Sequence, residues 1–285
     1  MKSSIFIIAI TICSHFCVAQ TDSTAMDSAS SKSTLTLAAV YSNNASYYGQ
    51  RAAEKIPYVA VAANYQLISG FYFTGQTYKL LNDKNSTLSA GSLGAGVNFK
   101  LAKNLTTDLN CSHSFYAANS PLLQAANADN ASIVLSYDNW FITSLTGDYA
   151  FGKVNDAFVT AAFSKQISLF SIGKKDVVTI TPSAEVVGGT QHFYQTYIKE
   201  KKIRDSILRN LPAPALGRPN PNRHIDTVMT TAFNILSYNF KLPLDYNRGK
   251  YIIEAAYQFS LLSGHVQTIT GNVNSFFTFS FYYQF

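Results

Sequence analysis

Charge is scarce in this chain of 285 residues, cysteine is nearly absent, and no long apolar block occurs. Charged residues make up 13% of the sequence, about half the ~25% of an ordinary soluble domain, so the surface is not built to meet water on every side. No stretch reaches the roughly 18 apolar residues that a spanning helix needs, which excludes a helical membrane protein. Of the three cysteines, Cys13 and Cys17 lie in the N-terminal leader. Cys111 then stands alone, and no intrachain disulfide is possible in the mature chain. With no motif around it, Cys111 reads as a small apolar strand residue rather than a catalytic thiol.

What is abundant is aromatic. Phe, Tyr and Trp together make 14% of the chain, yet the mean hydropathy is only +0.03. Apolar residues alternating with Ser, Thr, Asn and Gln give such an average, because each strand then carries one face of each kind.

The N-terminus predicts export. Lys2 precedes an apolar run from Ile5 to Ile12, and Cys17-Val18-Ala19 supplies small residues for signal-peptidase cleavage after Ala19. Phe16 before Cys17 and Ile12 before Cys13 do not suit lipid attachment. Residues 1–19 are thus a signal peptide, and the Ser/Thr/Asp-rich segment 20–33 is a flexible lead.

The C-terminus supplies the most specific pattern. Phe277, Phe279, Phe281, Tyr283 and Phe285 occupy one face of a strand, with Thr278, Ser280, Tyr282 and Gln284 on the other. This resembles the closing strand of bacterial, Gram-negative outer-membrane β-barrels of the porin-like kind. The resemblance implies that Phe281, Tyr283 and Phe285 form the signal read by the barrel-assembly machinery, that the protein lies in the outer membrane among its lipids and lipopolysaccharide, and that residues 34–285 form the barrel.

Alternation through the rest of the chain predicts an all-β fold, a closed antiparallel transmembrane β-barrel of about 12 strands within a range of 10 to 14. Leu35, Leu37, Ala39 and Tyr41 oppose Thr34, Thr36 and Ala38; Thr106, Asp108, Asn110, Ser112 and Ser114 form one inward row. Ser69-Gly70, Lys103-Asn104, Asp138-Asn139, Gly173 to Lys175 and Asp245 to Gly249 read as turns. Each connection expected outside is longer than the turn after it, as in barrels with short periplasmic turns and both termini inside. Pro182 is expected to weaken the ninth strand.

One external loop, 188–230, breaks the pattern. Tyr194 to Leu211 reads as a helix, followed by prolines that prevent regular structure. Lys199, Lys201, Lys202, Arg204, Arg209, Arg218 and Arg223 oppose only Glu200, Asp205 and Asp226 in this loop. The mature chain carries +5 once Lys2 leaves from a total of +6, so most of the excess sits here. The loop is a candidate constriction favouring anions, or a docking element for anionic lipopolysaccharide or a partner; a merely solvated loop is the bland alternative.

Six further charges, Lys100, Asp108, Asp148, Glu185, Lys241 and Glu254, are candidate lumen-lining residues that either line a pore or form a network that plugs it. No catalytic set is recognisable. His113 in Ser112-His113-Ser114 points to the face opposite both serines, and no His/Asp spacing suits a metal or calls for a cofactor. The basic loop of an exported barrel does not imply nucleic acid. The sequence points to a passive or modestly selective channel for small solutes. A noncatalytic structural, assembly or partner-binding barrel with a plugged lumen and a lipid-modifying enzyme are the alternatives.

Overall fold

The computed structural model describes residues 32–83, 87–117, 120–209, 232–266, 268 and 271–285. The expected cleavage site after Ala19 and nearly all of the lead segment lie outside them. Fourteen strands form one antiparallel sheet. The first seven are β1 (Thr34–Ser42), β2 (Tyr58–Gln66), β3 (Phe71–Leu80), β4 (Ala90–Ala102), β5 (Leu105–Tyr116), β6 (Asp129–Asp138) and β7 (Ile142–Phe151). Then come β8 (Asp156–Ser164), β9 (Ile167–Phe170), β10 (Asp176–Ile180), β11 (Ser183–Gly189), β12 (Asn234–Arg248), β13 (Tyr251–Leu262) and β14 (Val273–Gln284).

The fourteen make twelve staves. β8 and β9 are one stave interrupted at 165–166, and β10 and β11 one stave interrupted at Thr181-Pro182. Proline has no N–H to give to a ladder. Lys165 N–H donates instead to the Pro182 carbonyl at 3.2 Å, and Thr181 N–H to that of Pro243 at 3.1 Å, so pairing resumes on either side. β14 pairs with β1 from Gln284↔Thr36 to Thr278↔Ser42, which closes the barrel. Closure leaves no row of unpaired edge amides in hydrocarbon.

The faces follow the alternation. Phe277, Phe279 and Phe281 are exposed outward, whereas Asn274, Phe276 and Ser280 on the other face are buried. Val61, Phe73, Leu93, Leu145 and Tyr257 extend this apolar exterior around the barrel, far beyond the patches tolerated on soluble monomers. At the turn end Lys165 Nζ lies 4.8 Å above the ring of exposed Trp140, an amphipathic pair suited to a membrane interface.

Two sequence expectations are corrected. Asp245 to Arg248 continue β12, pairing with Glu254 to Tyr251. The turn is only 249–250, because Gly249 adopts φ 55° and closes it tightly. The fourth outer connection, 152–155, is also no longer than the turn 171–175 after it. Asp156 is drawn into the wall of β8, where its carboxylate has partners described below.

Candidate functional site

An apolar core fills the end of the barrel that carries the longer connections, built from residues 43–57 and 120–128 and the start of α1 (His192–Arg209). In the first of these, Tyr47 and Gln50 exchange backbone hydrogen bonds of 2.8 and 3.0 Å. Between them Tyr48 (φ 50°) and Gly49 (φ 79°) both have positive φ, the arrangement of a type I′ hairpin tip. Tyr48 is the one non-glycine with positive φ among the described residues. Such a conformation costs roughly 1 kcal/mol or more and persists where its surroundings hold it.

The surroundings do so from two sides. Ser237 Oγ on β12 donates to the Tyr48 carbonyl at 2.8 Å, and Asn274 Nδ2 on β14 to that of Gly49 at 3.0 Å. The Tyr48 ring stacks on Phe158 of β8, two staves from β12, with centroids 3.7 Å apart. The connection leaves β1 and β2, about half-way round the barrel from β8, so the tip reaches across the lumen.

Helix α1 seals the rest. Phe193, Tyr194 and Tyr197 are buried on one face, while Lys199 is exposed. Burying an aromatic of this size contributes about 2 to 3 kcal/mol. The first amides of any helix lack intrahelical partners. Here the wall supplies one: the Asp156 carboxylate, 1% exposed, accepts the N–H groups of His192 and Phe193, both at 2.8 Å, and the Thr190 hydroxyl at 2.6 Å. A carboxylate at this end also suits the helix dipole. Gln191 Nε2 donates to Gln50 Oε1 at 2.7 Å, joining helix to tip. Tyr47 packs edge-on against Phe193 at 4.8 Å.

Tyr197 OH accepts Ala53 N–H at 2.8 Å, and burial pushes its phenol up to about 12. Burial first, then Tyr116, Asp156 and Asp148, holds the Tyr47 phenol well above its ordinary value. Both rings are neutral components of an apolar seal.

Below the seal the wall is lined with small polar side chains. Inward Gly96 carries no side chain, and the phenol end of Tyr72 occupies the space where a Cβ would stand, its hydroxyl donating to Asp108 at 2.8 Å. Asn110 Nδ2 donates to the same carboxylate at 2.7 Å. Lys241 Nζ and Glu185 form an ion pair of 2.6 Å. Glu254 accepts from Ser280 and Tyr282 at 3.2 and 3.4 Å. Asp148 accepts from Asn130 at 3.3 Å, and Lys100 lies exposed near the turn end of its inward row. The six predicted lumen charges lie on the inward face; Lys241 pairs with Glu185 and also acts electrostatically on Glu254, while Asp108 and Asp148 sit in hydrogen-bonded groups.

Of the predicted loop cations, Lys201 pairs with Glu54 at 2.9 Å outside the seal. Lys202, Arg204 and Arg209 lie in α1; Arg218 and Arg223 fall outside the described residues. The mouth is occupied by aromatics of this loop, not by Lys199 or Lys201. Sequence reasoning missed Tyr48, Asp156 and Asp245. The first two fall in expected connections and the third in an expected turn; Tyr48-Gly49 is not one of the Asn-Gly, Asp-Gly or Gly-Gly pairs that mark a type I′ hairpin, so no local signal points to the tip.

His113 lies in the outward row, its Nδ1 2.8 Å from Asp129 and its ring packed on Phe115, while Ser112 and Ser114 are buried inward. No group of three or more His, Cys, Asp or Glu placed to hold a metal occurs among the described residues.

No family model matches the chain, and no curated protein matches it in sequence. Among solved structures, the chain is similar to the KdgM porin at 7% identity and a TM-score of 0.49, covering 88% of this chain and 99% of that one. It is similar to LpxR from Salmonella typhimurium at 9% and 0.48, covering 87% and 99%, and to the NanC porin at 9% and 0.43, covering 87% and 98%. By its own strand pairing the chain is a closed antiparallel barrel of twelve staves.

Proposed function

We propose that the protein is an outer-membrane channel for small polar solutes whose external mouth is closed by the Tyr47–Gln50 tip and the first turns of α1. One observation carries this reading: the seal belongs to loops fastened to the wall by side-chain hydrogen bonds, while the staves beneath it present Ser, Thr, Asn and Gly inward. A barrel meant only as a scaffold has no need of such a lining, since side chains of moderate size would fill it. The tip and helix lie outside the strand ladders, so moving them together with Leu122 to Ala126, which pack in the same core, breaks no strand pairing and opens the lumen from above.

Planar-bilayer conductance tests it. The purified barrel should be closed, with rare openings, and replacing residues 47–50 by a shorter turn should give a steady conductance. No current from either protein would leave the plugged, partner-binding barrel as the reading. That second reading has its own observation in the exposed basic turn of α1 at Lys199, which suits lipopolysaccharide phosphates or an acidic partner. The terminal row of Phe281, Tyr283 and Phe285 is proposed to guide insertion by the barrel-assembly machinery; deletion of Phe285 should lower the yield of heat-modifiable barrel.

A further inference from the structure

The hairpin of β9 and β10 interrupts the ladder at the turn end of the barrel. β9 pairs only with β10. On its other side β7, which pairs with β8, starts at Ile142 opposite Ser164 and has no residue left to face Ile167–Phe170. Just before that start, Asn139 N–H turns back to the Phe141 carbonyl at 3.2 Å. Among the described residues, one edge of β9 therefore carries backbone groups outside any ladder. All four of its side chains are exposed, Ile167, Leu169 and Phe170 among them, and so is Ile172 after the strand.

An open edge is a template for a further strand. Lipid cannot supply its row of N–H and C=O partners. Antiparallel pairing of two β9 copies would turn one barrel upside down, because the two-fold axis of such a pair stands perpendicular to the sheet and lies in the membrane plane. The chain's own lead is within reach. Thr36 pairs with Gln284, Tyr283 with Tyr251, and Arg248 of the adjoining turn with Asp176, so the start of β1 and the β9–β10 hairpin lie at one end of the barrel. Along the order β9-β10-β12-β13-β14-β1 five spacings separate them, roughly 24 Å at about 4.8 Å each. Residues 20–33 extend to roughly 46 Å, which leaves about half their length for pairing. They contain no proline or glycine to break a strand. The charges from 20 to 31 are Asp22 and Asp27 alone, and the hairpin presents exposed Lys174 and Lys175.

We propose that residues 20–27 add to the open edge of β9 as a strand, held by backbone hydrogen bonds and by Asp22 and Asp27 against the lysines of the hairpin. β1 and β9 stand five staves apart in a ring of twelve, so the lead that joins them runs across the periplasmic mouth as a strap. The inference rests on strand pairing and is independent of whether the lumen conducts.

Hydrogen exchange of the intact barrel in detergent tests it. Expected is exchange over 167–170 at least tenfold slower than in a barrel lacking residues 20–31, while exchange in the other staves is the same in both. Asp22→Lys with Asp27→Lys keeps the length of the lead and should speed exchange over 167–170 at least threefold. Heat-modifiable migration confirms that each variant is a barrel. A second measurement locates the lead. In a Cys111→Ala background, Thr24→Cys should form a disulfide with Ser168→Cys at least ten times faster than with Asn104→Cys, although the β4–β5 turn lies nearer to β1 along the sheet. Exchange over 167–170 that is equal with and without residues 20–31, or a disulfide formed as fast at 104 as at 168, overturns the strap.

Discussion

Asp156 and Phe193 are joined by a hydrogen bond of 2.8 Å between a wall carboxylate and a helix amide. The barrel itself caps the helix that closes it, where most helices use their own preceding residue. Because Asp156 also takes the amide of His192 and the hydroxyl of Thr190, one side chain satisfies the buried end of α1.

Asp156→Ala should therefore release the helix from the mouth. Two buried amides lose a charged acceptor, at a cost of about 2 kcal/mol or more. Hydrogen exchange over 191–198 should rise by at least tenfold while exchange in the staves stays slow. Unchanged exchange in that segment would show that packing of Phe193 and Tyr194 alone holds it.

Gly49→Ala tests the tip. Its φ of 79° is unfavourable for any residue with a Cβ, and the added methyl would stand 2.8 Å from Ser237 Oγ. A cost of about 1 to 3 kcal/mol is expected, seen as faster protease cleavage within 43–57 in a barrel that still migrates as folded. Gly264→Ala, with nothing within 4 Å of its Cβ position, is the control and should change little.

Alkali should loosen the seal. The folded pKa of Tyr197, about 12, exceeds the ordinary phenol value of about 10. A raised pKa means that the neutral ring is favoured in the docked state. Its contribution is fully present below about pH 10 and is lost as pH rises through about 12. Exchange over 191–198 should accelerate across that window, and Tyr197→Phe should flatten the part of the response due to this ring.

The lipid-facing row makes a fourth prediction. Phe279→Arg places a charge on the apolar exterior and should destabilise the barrel in vesicles by about 2 to 4 kcal/mol, read by urea unfolding. Thr278→Arg, next in sequence but facing the lumen, should cost less than half as much. Equal costs would contradict the assignment of faces.

Much of the barrel was legible because the membrane imposes period-two alternation along every stave. Phe71–Leu80 was read to the residue, and the break at Pro182 follows from a missing N–H. β12 was cut short at Leu244, since Asp245-Tyr-Asn-Arg-Gly249 has turn composition; only pairing with both β13 and β10 shows that these residues are strand. The inward positions of Asp108, Asp148, Glu185 and Glu254 followed from parity. Their partners did not, because Tyr72 and Asp108, or Ser280 and Glu254, meet through register between strands. The seal was least legible. Tyr48, Asp156 and Phe193 are far apart in sequence, and nothing local says that a loop folds inward and not outward.

Labelling of a lumen cysteine from outside the cell tests the central claim most directly. In a Cys111→Ala background, Thr278→Cys places a thiol on the inward row below the seal, to be probed with a membrane-impermeant maleimide. The account predicts slow labelling with the natural tip and at least tenfold faster labelling when residues 47–50 are replaced by a shorter turn. Equal rates in the two proteins would contradict a mouth closed by the tip.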